Sequence, residues 1–147
     1  MDNKKTEAQA FLARVEMVDT LLENKLIEKR QWRDLALSIT ANMDGERVKS
    51  SSTTTSRMEE AVIKCIMVEE EIASAVDRLI AEKKKVVGVI ERLYSPTEYR
   101  ILHMRYIQYM SFADIAEKLN KEYTWVTTVH GRALKHVQEI LKGEGND

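Results

Sequence analysis

The sequence predicts an all-α protein, and three observations lead to this prediction. The 147 residues include one proline and five glycines, too few to punctuate the tight turns of a β-protein. Apolar residues recur at spacings of three and four, as they do along one face of an α-helix. Several of these runs open with a capping serine or threonine. We expect long helices in residues 1–94 and shorter ones in residues 95–147.

The composition limits the classes of partner and the cellular compartment. The 23 lysines and arginines nearly balance 24 acidic residues, so any DNA affinity must come from local placement rather than net charge. A single cysteine, Cys65, excludes an intramolecular disulfide and fits a reducing cytoplasm. No stretch approaches the roughly 20 apolar residues of a membrane span, and no signal peptide opens the chain. We therefore expect a soluble cytoplasmic protein.

The first helical segment is predicted from about Thr6 to about Met43. Thr6 and Gln9 match a capping box, in which side chain and backbone satisfy each other. The apolar stripe changes phase between residues 24 and 30, which predicts a kink or a break there. Its members on the two sides of that point are Phe11, Val15, Val18, Leu22, Trp32, Leu35 and Ile39.

Residues 44–56, DGERVKSSSTTTS, are predicted to form a linker. A glycine, a charged run and a Ser/Thr tract favour bonds between side chain and backbone over helix. A flexible connection is the simpler interpretation, and phosphorylation of its hydroxyl groups is the alternative. Ser56 and Glu59 then match a capping box that predicts a second long helix, ending near Tyr94.

The second helix carries a wide heptad seam, which predicts packing against other helices. Glu69 and Lys83 interrupt the seam and either set the register or partner, or extend into solvent. Because a two-helix hairpin buries little apolar surface, we expect a homodimer or higher oligomer, with the hairpin either intramolecular or exchanged. The predicted seam residues are Val62, Cys65, Ile66, Ile72, Ala73, Val76, Leu79, Ile80, Val86, Val87, Ile90, Leu93 and Tyr94.

The C-terminal segment begins at the clearest boundary in the chain, the capping sequence Ser95-Pro96-Thr97-Glu98. It predicts helices from Pro96 to about Ile107, from Ser111 to Leu119 and from Thr124 to Leu141. Asn120 tolerates the left-handed conformation that ends a helix. Two short helices joined by such a turn predict a helix-turn-helix, so the fold class is all α: a long coiled-coil-like hairpin followed by a C-terminal helix-turn-helix domain.

Four short motifs follow one another in this segment. They are the proline-bearing cap at Ser95, the run Leu102–Tyr106, the pair Ile115–Ala116 and the triplet Arg132–Leu134. In this the segment resembles region 4 of bacterial sigma-70 factors. The whole chain is similar to small phage and prophage proteins described as sigma-70-like or late-gene transcription regulators. The resemblance implies binding to double-stranded DNA in a bacterial host cell, with or without RNA polymerase.

The sequence departs from region 4 at the positions that determine DNA preference. Asn120 replaces the turn glycine, and Glu122 replaces the capping serine. The usual base-reading positions fall on Tyr123, Thr124, Thr127 and Thr128, so the resemblance implies a different target sequence. The N-terminal half lacks the promoter-melting region and the core-polymerase-binding helix of a complete sigma factor.

Residues 123–134, YTWVTTVHGRAL, divide into two faces at about 100° per residue. Val126, Val129 and His130 are predicted to lie on or beside the packing face, which continues through Ala133, Val137 and Ile140. Threonine can bond a base edge or place its methyl group against thymine, whereas arginine and lysine suit phosphate or guanine. We predict that the DNA-contacting residues are Tyr123, Thr124, Trp125, Thr127, Thr128, Gly131, Arg132 and Lys135.

Several of these residues have two interpretations. Glycine inside a helix costs about 1 kcal/mol relative to alanine, so Gly131 either lets DNA or another helix approach closely or is a tolerated surface residue. Trp125 either touches the DNA backbone or anchors packing. Arg100 and Arg105 either touch phosphate or pair with acidic residues, namely Glu98 or Asp114.

The three histidines give no pair at metal-binding spacing, and no phosphate loop or nucleophile motif occurs. We therefore expect no enzyme activity, no metal site and no cofactor. Two other functions remain open from sequence. One is a phage small terminase subunit, which also joins a helix-turn-helix to an oligomerising helical region. The other is a module that binds RNA polymerase without reading DNA.

Overall fold

A computed structural model describes the backbone of residues 6–43 and 51–145, and side chains within 6–41 and 55–144. Every regular element in these ranges is helical, as the sequence predicts. None of the helices in the described ranges is long and apolar enough to cross a membrane. The elements are α1 (Glu7–Leu12), α2 (Arg14–Met43), α3 (Ser51–Ile90), α4 (Pro96–Leu102), a π-helical turn (His103–Ile107), α5 (Phe112–Leu119) and α6 (Tyr123–Gly145).

Contacts divide the chain into two compact units. The first unit contains residues up to Val18 together with residues from Leu79 onward, and the second is Asp19–Arg78. The predicted boundary between residues 94 and 95 falls inside the first unit, because the ends of the long helices share an apolar cluster with the C-terminal helices. The buried members of this first cluster are Ala8, Leu12, Val15, Val86, Val89, Ile90, Leu102, Tyr106, Ala133 and Val137.

The predicted break in the first helix was misplaced. The chain breaks at Ala13, whose N–H bonds back to the carbonyl oxygens of Gln9 and Phe11. Residues 24–30 lie within the continuous helix α2. The change of phase needs no kink there, because Leu26 and Ile27 are about half exposed and do not have to face a core.

The start and end of the second long helix also differ from the prediction. Helix α3 begins at Ser51 rather than Ser56 and ends at Ile90 rather than Tyr94. Part of the predicted linker is therefore helical, because extending an existing helix costs far less than nucleating one. The rest of the predicted linker, residues 44–50, lies outside the described residues.

The second unit consists of two helical segments that run antiparallel. Lys25 forms an ion pair with Glu71, and Lys29 Nζ lies 3.2 Å from Glu69 Oε1. Thr40 Oγ1 lies 3.9 Å from Met58 Sδ. As residue numbers rise along α2 they fall along α3, which is the order that antiparallel helices produce.

The core of this second unit is thin. Its buried apolar residues are Ile39, Ala61, Val68 and Ala75, of which two are alanines. Helix α3 meets one neighbouring helix in this unit, so only a narrow stripe of the predicted heptad seam is covered; packing of the rest of the seam against a second chain stays a prediction. The exposed large apolar side chains of the unit are Leu21, Leu26, Ile27, Leu35, Leu37, Val62, Ile63, Ile66, Met67 and Val76.

The first unit contains a second apolar cluster around α4, α5 and α6. Its buried members are Ile101, Met104, Ile115, Ala116, Val126 and Val129. A π-helical turn replaces the predicted end of α4, with Gln108 N–H donating to the carbonyl oxygen of His103 at 3.1 Å. This turn places Met104 in the second cluster and Tyr106 in the first.

Three predicted helix caps of the first unit are confirmed, whereas α6 begins at Tyr123, one residue before the predicted Thr124. The hydroxyl oxygens of Thr6, Ser95 and Ser111 accept hydrogen bonds from the N–H groups three residues later, at 3.2, 3.3 and 3.1 Å. The Glu98 side chain does not complete a capping box. It is buried, and its carboxylate oxygens lie 2.8 and 3.0 Å from His136 Nδ1, which joins α4 to α6.

A buried ring pair connects the two clusters of the first unit. Tyr106 Oη lies 2.7 Å from His130 Nε2, and the two rings stack with centroids 5.6 Å apart. The Phe112 ring meets His130 edge to face at 4.8 Å. Burial lowers the pKa of His130 to about 4, and the positive charge of Arg105 acts in the same direction. A neutral imidazole has one ring nitrogen without a proton, so it is able to accept a hydrogen bond from the tyrosine hydroxyl, as the predicted packing role of His130 requires.

We expect acid to destabilise the first unit through His130. Its pKa is lowered from 6.5 to about 4 on folding, so the unfolded state binds the extra proton between these values. The contribution is fully present above pH 6.5 and is lost as pH falls toward 4, at most about 3 kcal/mol. Urea unfolding followed by circular dichroism should show this slope.

A His130→Gln variant should flatten the pH dependence between pH 4 and 6.5. His103→Gln is the matched control, and it should retain the wild-type slope. Parallel pH curves for wild type and His130→Gln would contradict this account of the buried imidazole.

Candidate nucleic-acid interface

The predicted DNA-contacting residues lie on α6 and follow a short connection from α5. Asn120 adopts the left-handed conformation predicted for it, with φ 54° and ψ 47°. The N–H of Lys121 donates to the carbonyl oxygen of Ala116 at 2.9 Å, which closes the end of α5. Helix α5 ends at Leu119 and α6 begins at Tyr123, with three residues between them. The two helices are thus fixed to each other by a tight turn and by the second apolar cluster.

Helix α6 has a buried and an outward face. Val126, Val129, His130, Ala133 and Val137 are buried. The outward face holds Thr124, Thr128, Arg132 and Lys135, which are exposed, with the half-buried Thr127, Gly131 and Trp125 beside them. Tyr123 is 54 % exposed at the start of the helix, and its ring meets the edge of Phe112. All eight predicted residues therefore have accessible surface along one helix.

Two of the three threonine hydroxyls on this face are engaged with the backbone. Thr127 Oγ1 and Thr128 Oγ1 both donate to the carbonyl oxygen of Thr124, at 3.0 and 2.7 Å. Their protons are thus occupied, while their oxygen lone pairs and methyl groups stay available. Each side chain offers an acceptor and an apolar contact rather than a donor.

Gly131 is not required by packing within the described part of the chain. A Cβ placed there would meet no atom within 4 Å. Gly88 on α3 is open in the same way. Since glycine inside a helix costs about 1 kcal/mol relative to alanine, the contacts seen around Gly131 do not account for its presence.

Trp125 has the packing role predicted for it, and its contact with the DNA backbone stays a prediction. Its ring packs against the second apolar cluster and is half buried. Lys121 Nζ lies 5.1 Å from the centroid of this ring. Lys121 was not among the predicted site residues; its position beside a tryptophan, just before the helix, was the available signal.

The basic residues near α6 fall into two groups. Arg132 and Lys135 are exposed and make no ion pair within the described ranges. Arg105 instead lies 4.2 Å from the centroid of the Phe112 ring and donates to the carbonyl oxygen of Met110. The pair with Glu98 or Asp114 predicted as one role of Arg105 is not formed among the described side chains, and its phosphate contact stays a prediction.

The outward face thus combines acceptors, methyl groups, an open glycine and two cations. Within residues 6–41 and 55–144, no three side chains of histidine, cysteine, aspartate or glutamate are placed to hold a metal ion. The arrangement suits contact with a polar, negatively charged surface.

Comparison with known proteins gives a family. A family model described as "protein of unknown function (DUF1492)" matches residues 37–138, from within α2 to within α6. The match includes α3, α5 and the outward face of α6 as far as Lys135. No curated protein and no solved structure matches the chain. Because the matched region covers more than half of its length, the chain belongs to the DUF1492 family.

Proposed function

We propose that this protein is a phage-type DNA-binding transcription regulator. In this proposal α5 and α6 form a helix-turn-helix similar to sigma-70 region 4, and α6 is the recognition helix. The supporting observation is the outward face of α6, which presents small polar and basic side chains directly after a tight turn. Recognition helices of this class place their N-terminal residues in the major groove.

The side chains of α6 have chemistry that suits a base-pair edge. Thr127 and Thr128 offer acceptor lone pairs and methyl groups, which suit the amino groups of adenine or cytosine and the methyl group of thymine. Arg132 and Lys135, one and two turns further along, suit phosphates or guanine. The N-terminal part of α6 is therefore assigned to sequence preference and its middle part to affinity.

One copy of this interface carries little charge. Residues 123–142 include Arg132, Lys135 and Lys142 against Glu139, a net charge of about +2 with histidines neutral. A module that neutralises so few phosphates binds DNA weakly, whereas two linked modules gain through effective concentration. The proposal therefore requires self-association.

The second unit supports self-association with a second copy of the same chain. Among the side chains that the structure describes, this unit buries four apolar ones and exposes ten large ones. Val62, Ile66 and Val76 form an exposed stripe about 100° around α3 from the stripe that faces α2, as in a helix with two neighbours in a bundle. A second two-helix unit would supply that neighbour through a self-complementary contact.

Alanine substitutions should separate the roles of the two groups of residues on α6. Arg132→Ala with Lys135→Ala should weaken binding about equally to all DNA sequences, because phosphate contacts carry little sequence information. Thr124→Ala with Thr128→Ala should change the preferred sequence instead. The measurement is selection of bound sequences from random DNA, with and without RNA polymerase, followed by gel-shift titration.

If all four substitutions leave DNA affinity and preference unchanged, α6 is not the recognition helix. A motif recovered only with polymerase present would mean that the two bind DNA together. No DNA recovered under either condition, together with nuclease-resistant capture of polymerase, would identify a polymerase-binding module instead.

Substitution of Gly131 should have opposite effects on stability and on DNA affinity. Gly131→Ala should stabilise α6 by about 1 kcal/mol, because the added Cβ meets open space. It should lower DNA affinity about tenfold or more, because the methyl group would hold the helix away from the DNA backbone. Thermal unfolding and fluorescence anisotropy give the two readouts.

Gly88→Ala is the matched control, since this glycine is also helical and open but lies on α3. It should gain similar stability and keep wild-type DNA affinity. Equal affinity in both variants would show that close approach at Gly131 plays no part in binding.

Polar substitutions in the exposed stripe of α3 should weaken self-association. Val62→Ser with Ile66→Ser should raise the dimer dissociation constant about 100-fold or more. Both side chains are about half exposed in the single chain, and the dimer would bury them, so the variant removes four apolar side chains from the dimer contact. Light scattering over a concentration series measures the dissociation constant. Tyr94→Ser, which removes a fully exposed ring from the first unit, should leave assembly unchanged.

A wild-type protein that stays monomeric at high micromolar concentration would contradict the self-association. Rings of eight or more subunits would instead favour the DNA-packaging function of a small terminase subunit. Either result concerns assembly alone, and the substitutions on α6 test DNA recognition independently.

A further inference from the structure

A basic cleft lies beside the start of α6, and among the residues predicted to contact DNA only Trp125 lines it. It has a volume of about 250 Å³ and is lined by Pro96, Thr97, Arg100, Leu119, Lys121 and Trp125. All six residues belong to the first unit. The cleft is formed where the first turns of α4 meet the connection between α5 and α6.

The lining of the cleft divides into a charged part and an apolar part. Arg100 and Lys121 are exposed, and neither makes an ion pair within the described side chains. None of the six lining residues is acidic. Leu119 and the Trp125 ring form the apolar part, with Lys121 Nζ held 5.1 Å from the ring centroid. Two cations beside an apolar wall match a phosphate joined to a sugar.

Trp125 makes the cleft continuous with the outward face of α6. The residue packs against the second cluster and also lines the cleft. Thr124 and Thr128 lie next to Trp125 on the outward face. A helix whose outward face enters the major groove has the sugar-phosphate backbone along its flanks, and this cleft lies on one such flank.

We infer that the cleft binds one phosphodiester of the DNA backbone. The Arg100 guanidinium and the Lys121 ammonium contact the phosphate, and Leu119 and Trp125 contact the adjoining deoxyribose. The inference rests on the proposed DNA-binding function and extends the interface from α6 to α4 and the α5–α6 connection. This contact fixes the register of the helix in the groove and adds charge that α6 alone lacks.

The test is the salt dependence of DNA binding by the full-length chain. Each neutralised phosphate contributes about 0.9 to the slope of log affinity against log salt. Arg100→Ala with Lys121→Ala should lower the magnitude of this slope by about 0.9 and reduce affinity about tenfold at low salt, whatever the DNA sequence. Both residues are exposed, so the variant should fold, and circular dichroism verifies this.

Lys84→Ala with Lys85→Ala is the matched control, because it removes the same charge from exposed positions on α3 of the same unit. This control should keep the wild-type slope. If the cleft variant and the control give the same slope while Arg132→Ala with Lys135→Ala impairs binding, the cleft inference fails and the proposed function stands.

A second measurement locates the phosphate. Uncharged methylphosphonates placed one at a time along the DNA backbone should weaken wild-type binding at each contacted phosphate, and one of these positions, beside the α6 site, is the phosphate that the cleft contacts. Substitution at this position should not weaken binding of the cleft variant any further. Further weakening of the cleft variant at every position would overturn the inference, and absence of wild-type binding to any DNA would overturn it together with the proposed function.

Discussion

The packing of α6 against two apolar clusters is the constraint on which the rest of the first unit depends. Val126 and Val129 belong to the cluster with α4 and α5, whereas Ala133 and Val137 belong to the cluster with α1 and the end of α3. One helix therefore connects the short C-terminal helices to the long ones. Because this face is fully used for packing, only the opposite face is free to meet another molecule.

Polar contacts between specific residues hold α6 in one register. Buried Glu98 contacts His136, Tyr106 contacts His130, and the Gln138 side chain accepts a hydrogen bond from the N–H of Ala8 at 3.1 Å. Apolar packing alone tolerates small rotations of a helix, whereas an unsatisfied buried polar group is costly. These contacts therefore fix which residues of α6 face outward.

The two units differ in how much apolar surface each buries within a single chain. The first unit has two clusters with many fully buried side chains, whereas the second has four buried apolar residues, two of them alanines. A pair of helices can cover only one stripe on each, and the remaining apolar surface stays in water. The proposed function uses this difference, assigning recognition to the first unit and self-association to the second.

Local sequence determined the helical class, the caps at Thr6, Ser95 and Ser111, the left-handed Asn120 and the two faces of α6, because each depends on neighbours within about four residues. Tertiary structure decided the break at Ala13, the narrow stripe of α3, the Glu98–His136 contact and the cleft around Lys121. These depend on which distant segments pack together. Periodicity identifies an apolar face, but only the partner helix determines how much of that face is covered.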